Sequence, residues 1–414
     1  MDYRHFTGLI KESSFKMASL PAEVRNNALL EIMNALEKSK DAIFAANRED
    51  LALAKENGLP GPIISRLKFD EGKLNDIKSG LSDLLKAPDP LFQELLIREL
   101  DSGLVLHKIT CPIGVIGVIF ESRPDALIQI SALCIKSGNC CILKGGSEAA
   151  NSNRALFDVI KGAGVSAGLP ENFAAPVESR ADINELLKCH ESIDLLIPRG
   201  SNSFVQYIME NTKIPVMGHA DGLCHIYADK YADPDKAVRV IDDAKTQYAA
   251  VCNAVETLLI HKDAAGRLLP LIRERLGEKG VTLIENATEK DFCTEHLDYI
   301  LSVKVVDSIG EAISHINKYG SHHTDCIITE DSGAAEEFMR SVDSAGVYQN
   351  CSTRFADGFR YGFGAEVGVS TGKLHARGPV GLDGLVSYKY KLYGDGHIVA
   401  DYAEGRKSFN FKDL

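Results

Sequence analysis

The chain has 414 residues, 45% of them hydrophobic and 25% charged, and Lys+Arg 46 against Asp+Glu 58 leaves a net charge of −12. That length divides into two or three domains of ~100–200 residues, each able to bury a core, and the composition excludes a disordered or fibrous chain. An acidic surface repels phosphate backbones, so nucleic acid is a poor partner.

The N-terminus, MDYRHFTGLIKESSFKMASLP, mixes charges into its apolar positions and does not read as a secretory signal. From Phe6 to Asn57 apolar residues recur at spacings of three and four (Ala28, Leu29, Ile32, Met33, Leu36, then Ile43, Leu51, Leu53, Ala54), the pattern of amphipathic helices. Gly58, Pro60, Gly61 and Pro62 break it, and a second helical stretch from Ile63 to Leu85 stops at Pro88 and Pro90.

Beyond residue 100 short apolar runs alternate with helical windows: Leu104–Thr110, Ile113–Phe120, Cys140–Leu143, Ile193–Ile197, Pro215–Val216 and Cys224–Tyr227. A second set follows, Val255–Ile260, Tyr299–Val306, Cys326–Thr329 and Gly346–Gln349, with helices expected near 234–250, 264–277, 308–319 and 332–343. Strands apolar on both faces and joined by helices predict an α/β fold of parallel sheets covered on both sides, in two units. Gly358 to Gly384 is glycine-rich and reads as loop, and Leu385–Leu392 as a last strand. The longest apolar run, Ile113–Phe120, is well under the ~18 residues of a membrane span, so no membrane association is expected.

The dinucleotide fingerprint G-x-G-x-x-G and the P-loop are both absent, and no His or Cys spacing suits a metal, so no metal is expected. The ten cysteines form no C-x-x-C pair and read as reduced thiols, which places the protein in the cytoplasm. Cys134, Cys140, Cys141 and Cys326 lie within apolar runs and read as buried hydrophobes. Cys252, in QYAAVCNAVETLLIH, falls between a helical window and a strand, where a thiol can face a cleft. On that context alone, burial as a small hydrophobe is the commoner fate.

The segments IGVIGVIFESRPD (113–125), LKGGSEA (143–149), IPRGSN (197–202), AVCNAVETLLIH (250–261) and GAEVGVSTGKLHARGPVGL (364–382) together resemble the γ-glutamyl phosphate reductases of the aldehyde dehydrogenase superfamily, in order along essentially the whole chain. The resemblance implies two Rossmann-like parallel-sheet domains: a cofactor-binding domain at 1–228, interrupted by a hairpin near 98–111, and a catalytic domain at 229–382. It implies a small β oligomerisation arm with the tail at 383–414, hence a homo-oligomer. It implies NADPH-dependent reduction of L-glutamyl 5-phosphate to L-glutamate 5-semialdehyde with release of phosphate, in proline biosynthesis. No span is left for a kinase domain, so a transient glutamate 5-kinase partner is expected to supply the labile acyl phosphate. The alternatives are a hydrolytic or CoA-acylating aldehyde dehydrogenase, and a non-catalytic nucleotide-binding regulator.

The same resemblance assigns the site. Cys252 is the nucleophile, attacking as the thiolate, with its own N–H and Ser122 or Arg123 holding the oxyanion. His219 is the candidate proton donor, equally readable as a structural histidine by a glycine turn. Hydrolytic relatives carry a water-activating glutamate where this chain reads His219-Ala220-Asp221-Gly222, and its loss suits a thioester that waits for hydride. Lys144, with Ser147 and Glu148 beyond it, falls at the adenosine ribose, before a helix whose N-terminus favours anions. Gly200, Ser201 and Asn202 fall at the pyrophosphate, and Asp298 at the nicotinamide ribose. Arg354 and Arg360 suit the phosphate and α-carboxylate of the substrate, and Asn350 is a candidate amide donor to it.

Overall fold

A computed structural model describes residues 2–414 apart from Ser122, His219 and Ala220, and every side chain among them apart from those of Pro62, Arg180 and Ala181. The helical lead-in folds as five helices, Tyr3–Met17, Ala22–Lys38, Lys40–Glu56, Gly61–Leu67 and Glu71–Lys86. The continuous pattern from Phe6 to Asn57 is thus three helices, interrupted at Pro21 and Ser39. Their apolar stripes, including Leu29, Ile32, Leu36, Ile43, Leu74 and Leu81, pack into one core with the first sheet.

That sheet runs Ala174–Pro176, Cys140–Lys144, Val115–Ile119, Leu195–Pro198, all parallel. The strand order reverses between Val115–Ile119 and Leu195–Pro198, and such a switch point opens a crevice at the carboxyl ends of the strands. Cys134, Cys140 and Cys141 are wholly buried. Pro215–Val216 is no strand but a single bridge from Val216 to Leu196.

The second sheet has six parallel strands in the order Gly346–Gln349, Thr324–Ile328, Cys224–Ala228, Val255–His261, Ile300–Val306, Thr282–Ile284. Helices Pro234–Thr246 and Lys262–Gly277 cover one face over Ile241, Leu258, Leu268 and Ile272. Helices Ile309–Tyr319 and Ser332–Ser341 cover the other over Tyr227, Leu259, Ile316 and Phe338. Cys224–Ala228 corrects the expected boundary at 228: it pairs with Val255–His261 and Thr324–Ile328 and so belongs to the second sheet. An apolar run reads the same in either sheet, and only its pairing decides.

The hairpin Glu94–Asp101 and Leu104–Pro112 forms a separate antiparallel sheet with Val386–Tyr393 and Lys412–Asp413. The glycine-rich segment, read as loop, contains one short antiparallel pair, Gly368–Ser370 with Gly378–Val380. No helix among the described residues is long and apolar enough to cross a membrane.

Candidate active site

The crevice lies where the carboxyl ends of the first sheet meet the amino ends of the second. Asn202 spans that junction from the first turn of helix Asn202–Glu210: its amide donates to Asp221 Oδ1 at 2.6 Å and to Glu295 Oε2 at 2.7 Å. Asp221 precedes strand Cys224–Ala228 and Glu295 precedes strand Ile300–Val306.

Cys252 sits on the loop between helix Pro234–Thr246 and strand Val255–His261, half-buried. The loop is fastened on three sides. The Cys224 thiol donates to the Cys252 carbonyl at 3.2 Å, and burial keeps that thiol well above its ordinary range, hence protonated. Asn253 donates to the Ala356 carbonyl at 2.9 Å, and Thr353 Oγ1 donates to the Asn253 carbonyl at 2.7 Å. Gly222 packs so closely that a Cβ there would stand 2.3 Å from Cys252 Cα.

The tie from Asn253 draws the turn Thr353–Phe355 alongside, and with it the buried Arg354, whose Nε donates to Gln247 Oε1 at 2.9 Å. Arg360 donates to the Arg354 carbonyl. Burial pulls the Arg354 guanidinium below its usual range, Arg360 adds to this, and Cys252 acts against it. Arg199, directly after strand Leu195–Pro198, shows the same pattern: burial and Arg123 lower it while Glu366 and Cys252 oppose. One member of each of two like-charged guanidinium pairs, Arg199 and Arg354, therefore feels the charge of Cys252, and the crowding of like charges favours an anion nearby.

The remaining expected residues fall in three groups. Lys144 ends strand Cys140–Lys144 beside Ile119, and Ser147 and Glu148 form the turn that follows, before helix Ala150–Ser166. That helix is not the anion site expected of it. Buried Asp50 accepts from the backbone N–H of Asn151 at 3.2 Å and of Ser152 at 2.7 Å, so a carboxylate of this chain already fills its N-terminus. Ser201, by contrast, is the N-cap of Asn202–Glu210 and makes no side-chain cap bond; its hydroxyl faces Ser203 at 3.4 Å.

Asn350 and Asp298 are engaged by backbone groups of the second unit. Asn350 holds φ 53°, accepts from Thr329 N–H at 3.0 Å and donates to Thr329 O at 2.9 Å and Glu330 Oε1 at 3.3 Å, so its amide is tied to the segment that follows strand Thr324–Ile328. The exposed Asp298 accepts from the next backbone N–H, of Tyr299, at 2.7 Å. Ser122 and His219 lie outside the described residues. Sequence reasoning missed Arg199 and Glu295. The position of Arg199 at a strand end, before Gly200-Ser201-Asn202, was a usable signal, whereas nothing in CTEHLD says which carboxylate turns inward. Among the described residues no group of three His, Cys, Asp or Glu is placed to hold a metal.

Residues 10–290 match the aldehyde dehydrogenase family. A γ-glutamyl phosphate reductase from Acetivibrio thermocellus is 56% identical over 416 residues, 98% of this chain and 96% of that one. The chain belongs to the γ-glutamyl phosphate reductases. The crystal structure of a γ-glutamyl phosphate reductase from Thermotoga maritima superposes with a TM-score of 0.94 at 36% identity, over 96% of this chain and 100% of that one. An acetylating aldehyde dehydrogenase from Geobacillus thermoglucosidasius shares the fold, with a TM-score of 0.67 at 16% identity over 95% of this chain and 97% of that one. The stretch 364–382 that carries much of the reductase resemblance acts here as a clasp. Arg377 donates to Asp343 Oδ1 at 2.9 Å, and His375 Nε2 donates to the Gly384 carbonyl at 2.9 Å, fastening the tail to the second unit.

Proposed function

We propose that this chain reduces L-glutamyl 5-phosphate to L-glutamate 5-semialdehyde with NADPH, through a thioester on Cys252, as the reduction step of proline biosynthesis. The observation that carries this reading is that two guanidinium couples, Arg123 with Arg199 and Arg354 with Arg360, reach the half-buried Cys252 thiol through Arg199 and Arg354. A substrate with a phosphate at one end and an α-carboxylate at the other matches that charge at both ends.

Cys252 Sγ forms a bond to the acyl carbon, the bond from that carbon to the phosphate oxygen breaks, and its electron pair leaves with phosphate. Guanidiniums beside the leaving group neutralise that charge, and Arg123 with the Cys252 N–H holds the oxyanion. The residues present fit a dinucleotide. The uncapped start of helix Asn202–Glu210 at the switch point offers N–H donors to a pyrophosphate, and Lys144 with the Ser147–Ala149 turn stands at the neighbouring strand end for the adenosine ribose. Glu295 rather than Asp298 is the carboxylate in reach of the nicotinamide ribose, because it lies against the Cys252 loop. When bound, the nicotinamide supplies hydride to the acyl carbon. Cys252 then leaves as thiolate, and His219 is the proposed proton donor. A second copy of the chain and a transient glutamate 5-kinase are the proposed partners.

The test runs the reaction in reverse. Given semialdehyde and NADP⁺, the enzyme is expected to turn over only with inorganic phosphate present and otherwise to stop after one NADPH per site. Steady turnover without phosphate would show that water reaches the thioester and would replace this reading with the hydrolytic one.

A further inference from the structure

Beneath the Cys252 loop lies an ion pair that the chemistry above does not use. Lys245, in the last turn of helix Pro234–Thr246, and Glu256, in strand Val255–His261, have side chains 0% and 1% exposed, with Nζ 3.2 Å from Oε2. Burial pushes Glu256 up to about 7 and pulls Lys245 down, the direction expected when both charges lose water. A pair this dry adds little to stability compared with apolar residues of the same size. Its retained feature is the second carboxylate oxygen: Glu256 Oε1 accepts the backbone N–H of Leu297 at 3.3 Å.

Two residues before Leu297 in the same loop, Glu295 reaches Asn202 with one oxygen. The other lies within 2.5 Å of where a Gly222 Cβ would stand, and Cys252 Cα lies within 2.3 Å of that point. His296, between them, turns its ring inward, where its Nε2 is buried without a hydrogen-bond partner and Lys245 acts on its charge. The loop that carries Glu295 is thus anchored from below through the backbone N–H groups of Leu297 and His296, both of which act on the Glu256 carboxylate.

We propose that Glu256 is a positioning residue: by fixing Leu297 in its left-handed conformation it sets Glu295 against Cys252, and so controls the affinity of the nicotinamide nucleotide and the turnover of its complex. This rests on the reading that Glu295 faces the nicotinamide ribose.

Two double variants separate the hydrogen bond from the ion pair. Lys245→Met with Glu256→Gln removes both charges but keeps an acceptor for Leu297, whereas Lys245→Met with Glu256→Met removes the acceptor as well. Calorimetric titration with NADP⁺ is expected to give a Kd within about threefold of wild type for the first and at least about tenfold weaker for the second, with kcat falling in parallel. Tm should stay within a few degrees of wild type for both, which a merely structural role would not give. Adding Glu295→Ala to the Met/Met variant should cost nothing beyond Glu295→Ala alone. Equal Kd values for the two double variants, or additive losses with Glu295→Ala, would overturn the proposal. If the Met/Met variant fails to fold, a tenfold loss in the Met/Gln variant overturns it by itself. Should Glu295→Ala alone leave Kd unchanged, the role given to Glu295 falls first, and the strut with it.

Discussion

A Cβ on Gly222 would stand 2.3 Å from Cys252 Cα, 2.4 Å from the Cys252 carbonyl oxygen and 2.5 Å from Glu295 Oε1, and two of those three neighbours are backbone atoms with little freedom to yield. Gly222→Ala must therefore displace the nucleophile's own backbone. A displacement of about 1 Å at a reacting centre can cost ~100-fold in rate. The variant is expected to lose at least that in kcat/KM, while thermal melting shows it folded. Retention of more than a tenth of wild-type kcat/KM would mean that the loop relaxes freely and that Gly222 does not fix it. In the sequence Gly222 stood out only as the end of a stretch lacking a catalytic glutamate. Its close approach to a residue 30 positions later is a tertiary fact that no local pattern records. Cys252 itself drew notice only through the resemblance of AVCNAVETLLIH (250–261) to the reductases, since its local context left burial as a small hydrophobe the commoner fate. Arg199 and Glu295 were harder, since a charged side chain reads alike whether it faces a cleft or water.

From Cys224 onward most helices and strands were legible to within a few residues because the apolar period switches between 3.6 and continuous runs, as at Val255–His261 followed by Lys262–Gly277, whereas the helical lead-in hid its breaks and the short strands Ala174–Pro176 and Thr282–Ile284 left no apolar run to read. What closes an element from outside was not: the cap on helix Ala150–Ser166 is Asp50, about a hundred residues away in helix Lys40–Glu56. Helix Ile309–Tyr319 has a comparable hidden dependence. Its His315 is buried against Phe292, with ring centroids 4.6 Å apart, and against His225 at 5.6 Å. Burial, with His225 adding to it, lowers its pKa from 6.5 to about 3. The folded state therefore keeps His315 neutral while the unfolded chain takes up a proton below pH ~6.5, so this histidine costs stability as pH falls through the window from 6.5 towards 3. At 1.36 kcal/mol per unit the loss between pH 6.5 and pH 5 is about 2 kcal/mol. Urea unfolding across that range is expected to show His315→Phe, which keeps the ring packing, with a shallower fall than wild type. Identical slopes for the two proteins would mean that the helix opens to protonate His315 before the molecule unfolds.

At the scale of the whole molecule the arm leaves one strand uncovered among the described residues. Strand Val386–Tyr393 is the edge of its sheet and is exposed along nearly its whole length. Alternate side chains Tyr388, Tyr390 and Leu392 share one face and are 50%, 58% and 55% exposed. An apolar face on an unprotected edge strand invites either aggregation or a specific cover. The proposed cover is a second copy of the chain, since each copy brings the same edge and face, and a self-complementary pairing then satisfies both at once. Sedimentation at micromolar concentration is expected to show an oligomer for wild type and single chains for Tyr390→Asp with Leu392→Asp, because buried carboxylates without partners are strongly unfavourable at such an interface. The dissociated variant should still bind NADP⁺ with near wild-type affinity: Lys144, Ser201, Asn202, Glu295 and Cys252 all come from one chain, and the bond from Asn202 to Glu295 closes the crevice without a partner. A wild type that sediments as single chains would leave the exposed face unexplained by self-association. A variant that dissociates and also loses the nucleotide would show that the crevice is held shut across the arm rather than by its own hydrogen bonds.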